Sequence, residues 1–270
     1  MSETTLLQRL HAGIRLDDEL VIDDHGHMGP WYNFHIPGDG TPESMIENMD
    51  LIGINTCIVA PHIAIGPDTG EGNRQAVEAH LKYPDRLLPY ITINPRRPLA
   101  ETEAEIAHYH ELLGGIKGFK FHSSCHLATC DHVGYGPAYD YAGEHQIPIL
   151  SHVWDGPARD GKSFLTRQAA ANPNVAFLHA HSGNSWETIR KLTAEAKLNP
   201  NVYLDLAGSG LPYGGLEYMV AQIGANRILL GTDLPFIDCR PQFGRLLAAR
   251  ISDEDKRMIM GLNAKRLFKL

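Results

Sequence analysis

The chain has 270 residues, a hydrophobic fraction of 43% and a formal net charge of -8 at pH 7, so it can bury one large core and carries no basic run of the kind that binds nucleic acid. No stretch reaches the roughly 20 apolar residues that cross a bilayer, and the first residues lack the basic and apolar regions of a secretion signal. The four cysteines do not form the pattern of a disulfide framework, and we expect a cytoplasmic protein whose partners are neither nucleic acid nor membrane.

Short apolar runs alternate with helical patterns along the whole chain. The sequence predicts eight strands, at residues 19–24, 54–60, 87–93, 115–121, 147–151, 175–179, 202–206 and 227–231. Helices are predicted between them, near residues 42–52, 72–82, 99–113, 136–145, 161–171, 185–198, 213–223 and 240–249, with a tail helix near 253–268. Thr41 and Pro42 have the pattern of an N-cap followed by proline at the first helical position.

An eightfold alternation of strand and helix without a long linker is typical of an α/β protein with a single-domain (β/α)8 TIM barrel. We predict one domain over residues 1–270, with a short N-terminal extension over 1–18 and a C-terminal tail helix within 251–270. The alternative is an open doubly wound sheet, which normally has a glycine-rich loop after its first strand. Two long connections, 28–40 and 122–134, would lie at the barrel mouth, where active sites are built.

The first strand ends in two of the fifteen histidines of the chain, His25 and His27. Because side chains alternate along a strand, Asp23, His25 and His27 are predicted to share one face. Two imidazoles that converge on one face can chelate a single metal ion.

Later strands end in the same kind of chemistry, at His152, at His179 and His181, and at Asp233. In a barrel these groups would meet at one rim. Imidazoles and a carboxylate suit zinc, manganese or iron. Such a metal lowers the pKa of a bound water to roughly 7, and a further imidazole can then act as acid or base.

Six short segments of the sequence, taken together in their order along the chain, are more informative than any one of them alone. They are Asp23-x-His25-x-His27, Gly118-Phe119-Lys120-Phe121-His122, Ile147-Pro148-Ile149-Leu150-Ser151-His152, His181-Ser182-Gly183, Gly231-Thr232-Asp233-Leu234-Pro235 and Asn263-Ala264-Lys265-Arg266-Leu267-Phe268. Together they resemble the amidohydrolase superfamily, in the branch of amidohydrolase-related proteins that contains lactonases and metal-dependent decarboxylases. The resemblance runs from about residue 20 to the last residue.

The resemblance implies one divalent metal ion, with zinc expected first and manganese or iron as alternatives. Its ligands would be His25, His27, His152 and Asp233. His181 matches the histidine that orients or deprotonates the attacking water, and Asp233 takes the role of base in some members. Dimers are common among such proteins, so a homodimer belongs to the same expectation.

Other residues near the predicted rim have more than one interpretation. For Lys120 the resemblance implies a carbamate that bridges two metals; the alternatives are a lysine packed in the barrel or one that meets a substrate carboxylate. His122 lies near the mouth, either as a substrate contact or as a structural residue. His179 either intrudes on the site beside His181 or is a core histidine, and the core interpretation is favoured. The loop 122–132 fits no zinc motif and is interpreted as a cover over the substrate rather than as a separate metal site.

Substrate contacts are predicted from residue type alone. Arginines after predicted strands either bind a substrate carboxylate or serve solubility; they are Arg96, Arg97, Arg159 and Arg240. Residues of two loops either wall a planar substrate or pack against other loops or a partner subunit; they are Trp31, Tyr32, Phe34, His35 and Trp154.

The sequence therefore favours a metal-dependent hydrolase that cleaves an ester, lactone or amide-like bond in a small carboxylated molecule by means of metal-activated water. The alternative is a non-oxidative decarboxylase, which needs the same metal and the same acid or base. A third hypothesis is a binding barrel that has lost its activity.

Overall fold

A parallel barrel forms the centre of the molecule. The computed structural model describes residues 4–32, 35–152, 162–208 and 210–270. Its strands, in chain order, are β1 (Ile22–Met28), β2 (Thr56–Pro61), β3 (Leu87–Pro89), β4 (Ile91–Thr92), β5 (Phe119–Phe121), β6 (Pro148–Ser151), β7 (Ala176–His179), β8 (Val202–Asp205) and β9 (Ile228–Leu229). Neighbours in sequence pair with one another in parallel, from β1 to β3 and from β4 to β9.

Two sets of hydrogen bonds turn these segments into a closed barrel of eight strands. β3 and β4 are parts of one strand that is interrupted only at Tyr90, whose N–H still donates to the carbonyl of Val59 (2.9 Å). The last strand returns to the first, because the N–H of Asp24 donates to the carbonyl of Leu230 (3.0 Å). The (β/α)8 barrel predicted from the sequence is confirmed.

Helices lie at the predicted positions around the barrel, and the structure adds two short helices that were not predicted, Leu6–His11 and His62–Ile65. In chain order the helices are α1 (Leu6–His11), α2 (Pro42–Ile52), α3 (His62–Ile65), α4 (Thr69–Lys82), α5 (Leu99–Leu113), α6 (Gly136–His145), α7 (Lys162–Ala171), α8 (Trp186–Leu198), α9 (Gly215–Ile223), α10 (Arg240–Ala248), α11 (Asp253–Arg257) and α12 (Asn263–Phe268). Thr41 caps α2 by accepting from the N–H of Ser44, as its pattern predicts. Within the described ranges, no helix combines the length and apolar character that crossing a membrane requires.

The tail differs from the single predicted helix, because a π-helical segment (Met258–Leu262) joins α11 to α12. This segment passes close under the barrel: a β-carbon added at Gly261 would collide with the backbone of Leu20, just before β1. Phe268 then packs its ring against Tyr90 at 5.7 Å between centroids. The tail thus closes the lower end of the barrel with apolar groups.

Apolar side chains fill the interior below the strand ends and leave the polar groups at the upper rim. The buried inner cluster includes Ile22, Ile58, Leu150, Leu178 and Phe268. A second, larger cluster lies between the strands and the surrounding helices. Since both layers are apolar, the buried histidines and carboxylates concentrate at the carboxyl ends of the strands.

Candidate active site

The end of β1 presents two imidazoles to a carboxylate that follows β9. Nε2 of His27 lies 3.1 Å from Oδ1 of Asp233, and Nε2 of His25 lies 3.4 Å from the same oxygen. Nδ1 of His27 contacts the carbonyl oxygen of Ala60 at 2.8 Å, so this nitrogen carries the proton and Nε2 faces the site. The two histidines therefore converge as the sequence predicts.

Asp23 was predicted on the same face, and this is wrong. Its Oδ1 accepts hydrogen bonds from the backbone N–H groups of His25 and Thr232, both at 3.0 Å, and its Oδ2 accepts from the Thr232 hydroxyl. Cys57, a residue of the outer core, is its neighbour. The pairing register of β1 shifts between Asp23 and Gly26, and such an irregularity breaks the alternation of faces.

A buried carboxylate and a buried amine hold the ring of His25. Nδ1 of His25 lies 2.5 Å from Oδ2 of Asp205, at the end of β8, and Nε2 lies 2.8 Å from Nζ of Lys120 on β5. Burial holds the pKa of His25 well below its usual value, lowers the pKa of Lys120 to about 8 and raises the pKa of Asp205 to about 7. The neutral ring donates from Nδ1 to Asp205 and keeps a lone pair on Nε2.

Two further histidines extend the cluster across the mouth. Nδ1 of His181 lies 3.8 Å from Oδ2 of Asp233, and its Nε2 lies 3.1 Å from Nδ1 of His152. His122 stacks on His152 with ring centroids 4.1 Å apart. Burial lowers the pKa of His181 to about 4 and holds those of His152 and His122 well below the usual value. The site thus combines neutral imidazoles with one central carboxylate.

The backbone at the two central residues adopts an unusual conformation. His181 has φ +58° and Asp233 has φ +67°, a region that residues other than glycine rarely occupy. Hydrogen bonds hold this conformation, because the N–H of Asp233 donates to the carbonyl of His25 at 2.8 Å. Local strain that the surrounding structure enforces is typical of functional sites.

The cluster fits a divalent metal ion. Ligand atoms of His25, His181 and Asp233 lie within 4.8 Å of one another, and all three residues are buried. Imidazole nitrogen and carboxylate oxygen are donors that suit zinc, manganese and iron. This three-residue cluster contains His181, which was not among the predicted ligands, and lacks the predicted ligands His27 and His152. His27 nevertheless reaches the carboxylate of Asp233. The choice of ligands among these five residues stays a prediction.

A cavity of about 280 Å³ opens above this cluster. Its polar lining consists of histidines, Asp233 and Cys125, and its other walls are aromatic or aliphatic. The lining residues are His27, Trp31, His62, Ile65, His122, Cys125, His152, His181, Asp233, Phe236 and Ile237. Trp31 and Phe236 lie 5.9 Å apart between ring centroids. A small planar molecule can therefore lie between apolar walls with one end against Asp233.

Two residues of this site were missed by the sequence analysis. Asp205 ends β8 and His62 follows β2, so both obey the rule that polar groups after barrel strands face the mouth. Neither belongs to a segment with a second metal-type residue at close spacing, which is the signal that drew attention to His25 and His181. Their position directly after a predicted strand is the sequence feature that could have indicated these two residues.

The predicted substrate contacts are only partly brought to the cavity. His122 lines it, whereas Lys120 lies beneath His25 with a fully buried side chain. Arg96 is exposed and donates to the carbonyl of Leu127, and Arg240 is exposed and pairs with a neighbouring aspartate. Neither arginine is among the described lining residues. Trp154, Arg159 and Phe34 lie outside the described residues, while Tyr32 and His35 are exposed.

The loop 122–132 covers one side of the cavity through His122 and Cys125. Cys130 points into the core, with Sγ 3.3 Å from the hydroxyls of Ser123 and Ser151. Among the described residues, no metal-type cluster includes this loop. His179 is fully buried in β7 and is not among the described lining residues, in keeping with its interpretation as a core histidine.

Comparison with solved structures gives three informative similarities. A 2,6-dihydroxybenzoate decarboxylase from Rhizobium superimposes with a TM-score of 0.69 at 18% identity over 93% of this chain and 99% of that chain. A 5-carboxyvanillate decarboxylase from Novosphingobium aromaticivorans, complexed with manganese and 4-hydroxy-3-methoxy-5-nitrobenzoic acid, gives 0.73 at 17% identity over 94% and 97%. A dihydroxybenzoic acid decarboxylase from Polaromonas sp. JS666, with manganese and the inhibitor 2-nitroresorcinol, gives 0.67 at 19% identity over 93% and 97%.

The sequence itself identifies the family. No curated protein matches this chain. The family model described as Amidohydrolase matches residues 59–270, which include every strand after β2 and the site residues from His62 to Asp233. The resemblance inferred from the six segments is confirmed: the chain belongs to the amidohydrolase family.

Proposed function

We propose that the protein is a metal-dependent, non-oxidative decarboxylase of a small aromatic carboxylic acid. The observation that carries this proposal is the cavity, which sets aromatic and aliphatic walls above a cluster of imidazoles and a carboxylate. Three structures with the same fold belong to decarboxylases of aromatic acids. The proposal extends their chemistry to this chain.

The walls favour decarboxylation for an electrostatic reason. A carboxylate is strongly solvated in water, whereas carbon dioxide is neutral, so charge moves out of the departing group during the reaction. An apolar wall formed by Ile65, Phe236 and Ile237 removes the water that stabilises the starting carboxylate and suits the neutral product. Hydrolysis gains no such advantage, because it requires a water molecule and develops charge on an oxygen atom.

His25, His27, His181, His152 and Asp233 are the residues from which the ligands of a divalent metal would come, and manganese or zinc suits them. When bound, the metal supplies a positive charge that orients an oxyanion of the substrate. Lys120 adds a second positive charge beneath His25. Asp205 holds the His25 ring so that Nε2 faces the cluster.

Proton transfer would fall to Asp233 and His181, which face the same cavity. Decarboxylation breaks the bond between the ring carbon and the carboxyl carbon, and the ring carbon receives a proton in exchange. The neighbouring imidazoles outweigh burial and hold the pKa of Asp233 well below its usual value, so the group rests as a carboxylate. It would first accept a proton from solvent through His152 and His181, whose Nδ1 lies 3.8 Å away, and then pass that proton to the ring carbon. Trp31 and Phe236 would keep the ring in one plane.

Hydrolysis of an ester or lactone, the first expectation from the sequence, becomes the second candidate. The acid, the base and the metal site are common to both reactions, so the motifs favour it as much as decarboxylation. The same proposal includes a cytoplasmic location, a small-molecule substrate and a homodimer.

Isotope analysis separates the two reactions. We expect the manganese-loaded protein to release labelled carbon dioxide from a carboxyl-labelled hydroxybenzoate such as 2,6-dihydroxybenzoate, and to place deuterium on the ring carbon in heavy water. Asp233→Asn should reduce this rate at least 100-fold, whereas Asp238→Asn, an exposed substitution of the same kind, should leave it unchanged. Incorporation of one oxygen from labelled water into a lactone, without carbon dioxide release from the acids, would overturn the proposal in favour of hydrolysis.

A further inference from the structure

His62 is a buried histidine that the proposed chemistry does not use. It follows β2 directly, and 1% of its surface is exposed. Its Nδ1 lies 2.7 Å from the carbonyl oxygen of Gly29, so Nδ1 carries the proton and Nε2 keeps a lone pair. Nε2 is buried, and no residue in the described part of the chain hydrogen-bonds to it. Buried polar atoms normally have a partner, which points to a ligand as the missing donor.

The surroundings of His62 place its ring in the wall of the cavity. Its ring stacks on His27 with centroids 5.0 Å apart and planes 16° from parallel. The rings of Trp31 and Phe236 lie 5.2 Å and 5.4 Å away. His62 lines the cavity together with these three residues. It is therefore a polar acceptor within an aromatic wall, on the side of the cavity formed by β1 and β2.

We propose that Nε2 of His62 accepts a hydrogen bond from a hydroxyl group on the ring of the substrate. The inference rests on the proposed decarboxylase function and adds to it a required substituent. A hydroxyl fits better than an ammonium group, because a cation would have to leave water for aromatic and aliphatic neighbours. A site built around a hydrogen-bond acceptor rejects analogues that lack the donor. His62 thus determines which aromatic acids bind, without contacting the reacting carbon.

A pair of ligands that differ in one donor tests this role without turnover. 2-Nitroresorcinol has two hydroxyl groups, and its monomethyl ether, 3-methoxy-2-nitrophenol, keeps the ring and one hydroxyl. Binding of each to the manganese-loaded protein is measured by calorimetry. We expect the wild-type protein to bind the diol about tenfold more tightly than the ether, as the loss of one hydrogen bond predicts.

Substitutions then locate the source of the preference. His62→Phe and His62→Leu remove the acceptor, and each should reduce the preference for the diol to less than twofold. His62→Gln keeps an acceptor and should retain a preference above threefold. Phe236→Leu, a packing change beside His62, should weaken both ligands by the same factor. Thermal unfolding and manganese content identify which variants remain folded and loaded.

The outcomes distinguish this inference from the function on which it rests. Equal affinities in the wild-type protein, or a tenfold preference that survives in a folded variant without the acceptor, would overturn the role of His62 while leaving the decarboxylase proposal intact. If the manganese-loaded wild-type protein binds neither ligand at millimolar concentration and releases no carbon dioxide from hydroxybenzoates, the proposed function fails and the inference fails with it.

Discussion

Asp205→Asn tests whether a buried carboxylate prepares His25 to bind metal. The carboxylate accepts from Nδ1 of His25 through Oδ2 and from the backbone N–H of Ala207 through Oδ1. An asparagine has one acceptor and one donor end, so it cannot serve both N–H groups. If its oxygen stays with Ala207, its amide donates to Nδ1 and the ring proton moves to Nε2. The nitrogen that faces the cluster then loses its lone pair.

The magnitude of the effect follows from this switch. Loss of a carboxylate that orients a metal-binding histidine typically weakens metal affinity by about 10–100-fold, equivalent to roughly 1.4–2.8 kcal/mol. Stability without metal should change much less. Asp205 is fully buried, and burial raises its pKa to about 7, so the substitution also removes the cost of holding a buried charge. We expect the free energy of unfolding in the presence of a chelator to change by less than about 1 kcal/mol.

Competition with a chromophoric chelator measures the affinity for manganese and zinc, and urea unfolding measures stability. Asp238→Asn provides the matched control, because Asp238 is an exposed residue that pairs with Arg240. Its metal affinity should equal that of the wild-type protein. A change of less than twofold in Asp205→Asn, in a folded protein that binds metal, would refute the argument that Asp205 sets the tautomer of a ligating His25.

Two substitutions test the packing and the titration of the site region. A β-carbon at Gly231 would collide with Oδ1 of Asp205 and lie 2.9 Å from Cβ of His25. Gly231→Ala should therefore lower the free energy of unfolding by about 1–3 kcal/mol. Unchanged urea unfolding would contradict this close approach. Burial lowers the pKa of His126 to about 4, whereas its ordinary pKa is about 6.5. Between these two values the unfolded state binds a proton that the folded state does not. The contribution of His126 to stability is therefore complete above about pH 6.5 and falls by up to about 3 kcal/mol as the pH drops towards 4. His126→Asn should reduce the slope of unfolding free energy against pH between pH 7 and 4.5, and an unchanged slope would show that His126 is not buried in its neutral form.

The sequence predicted the fold and most of the rim because both depend on one regularity. Eight apolar strands close into a barrel, and a barrel brings the residues that follow its strands to a common mouth. His27 and Asp233 are 206 positions apart in the chain, yet their side chains lie 3.1 Å from each other. Residue type and position after a strand were sufficient to predict this convergence.

Predictions failed where local geometry departs from that regularity. The shift of register in β1 places Asp23 against Thr232 rather than at the site. A glycine within a strand pattern, here Gly26, often marks such an irregularity, and a β-carbon at Gly26 would collide with Sγ of Cys57. Arg96 and Arg240, for which substrate binding and solubility were both open, have partners away from the cavity: Arg96 donates to the carbonyl of Leu127 in the loop 122–132, and Arg240 pairs with Asp238.

The reaction class depends on the walls of the cavity more than on its floor. The residues at the strand ends could hold a metal ion and could donate or accept a proton, which hydrolysis and decarboxylation both require. Residues after β2 and β9, among them Ile65, Phe236 and Ile237, decide how much water accompanies the substrate. A carboxylate held against such walls loses the solvation that stabilises it. The same walls would also exclude the water molecule that hydrolysis requires. The motifs therefore identify the family, whereas the proposal of carbon dioxide loss over attack by water rests on the apolar walls.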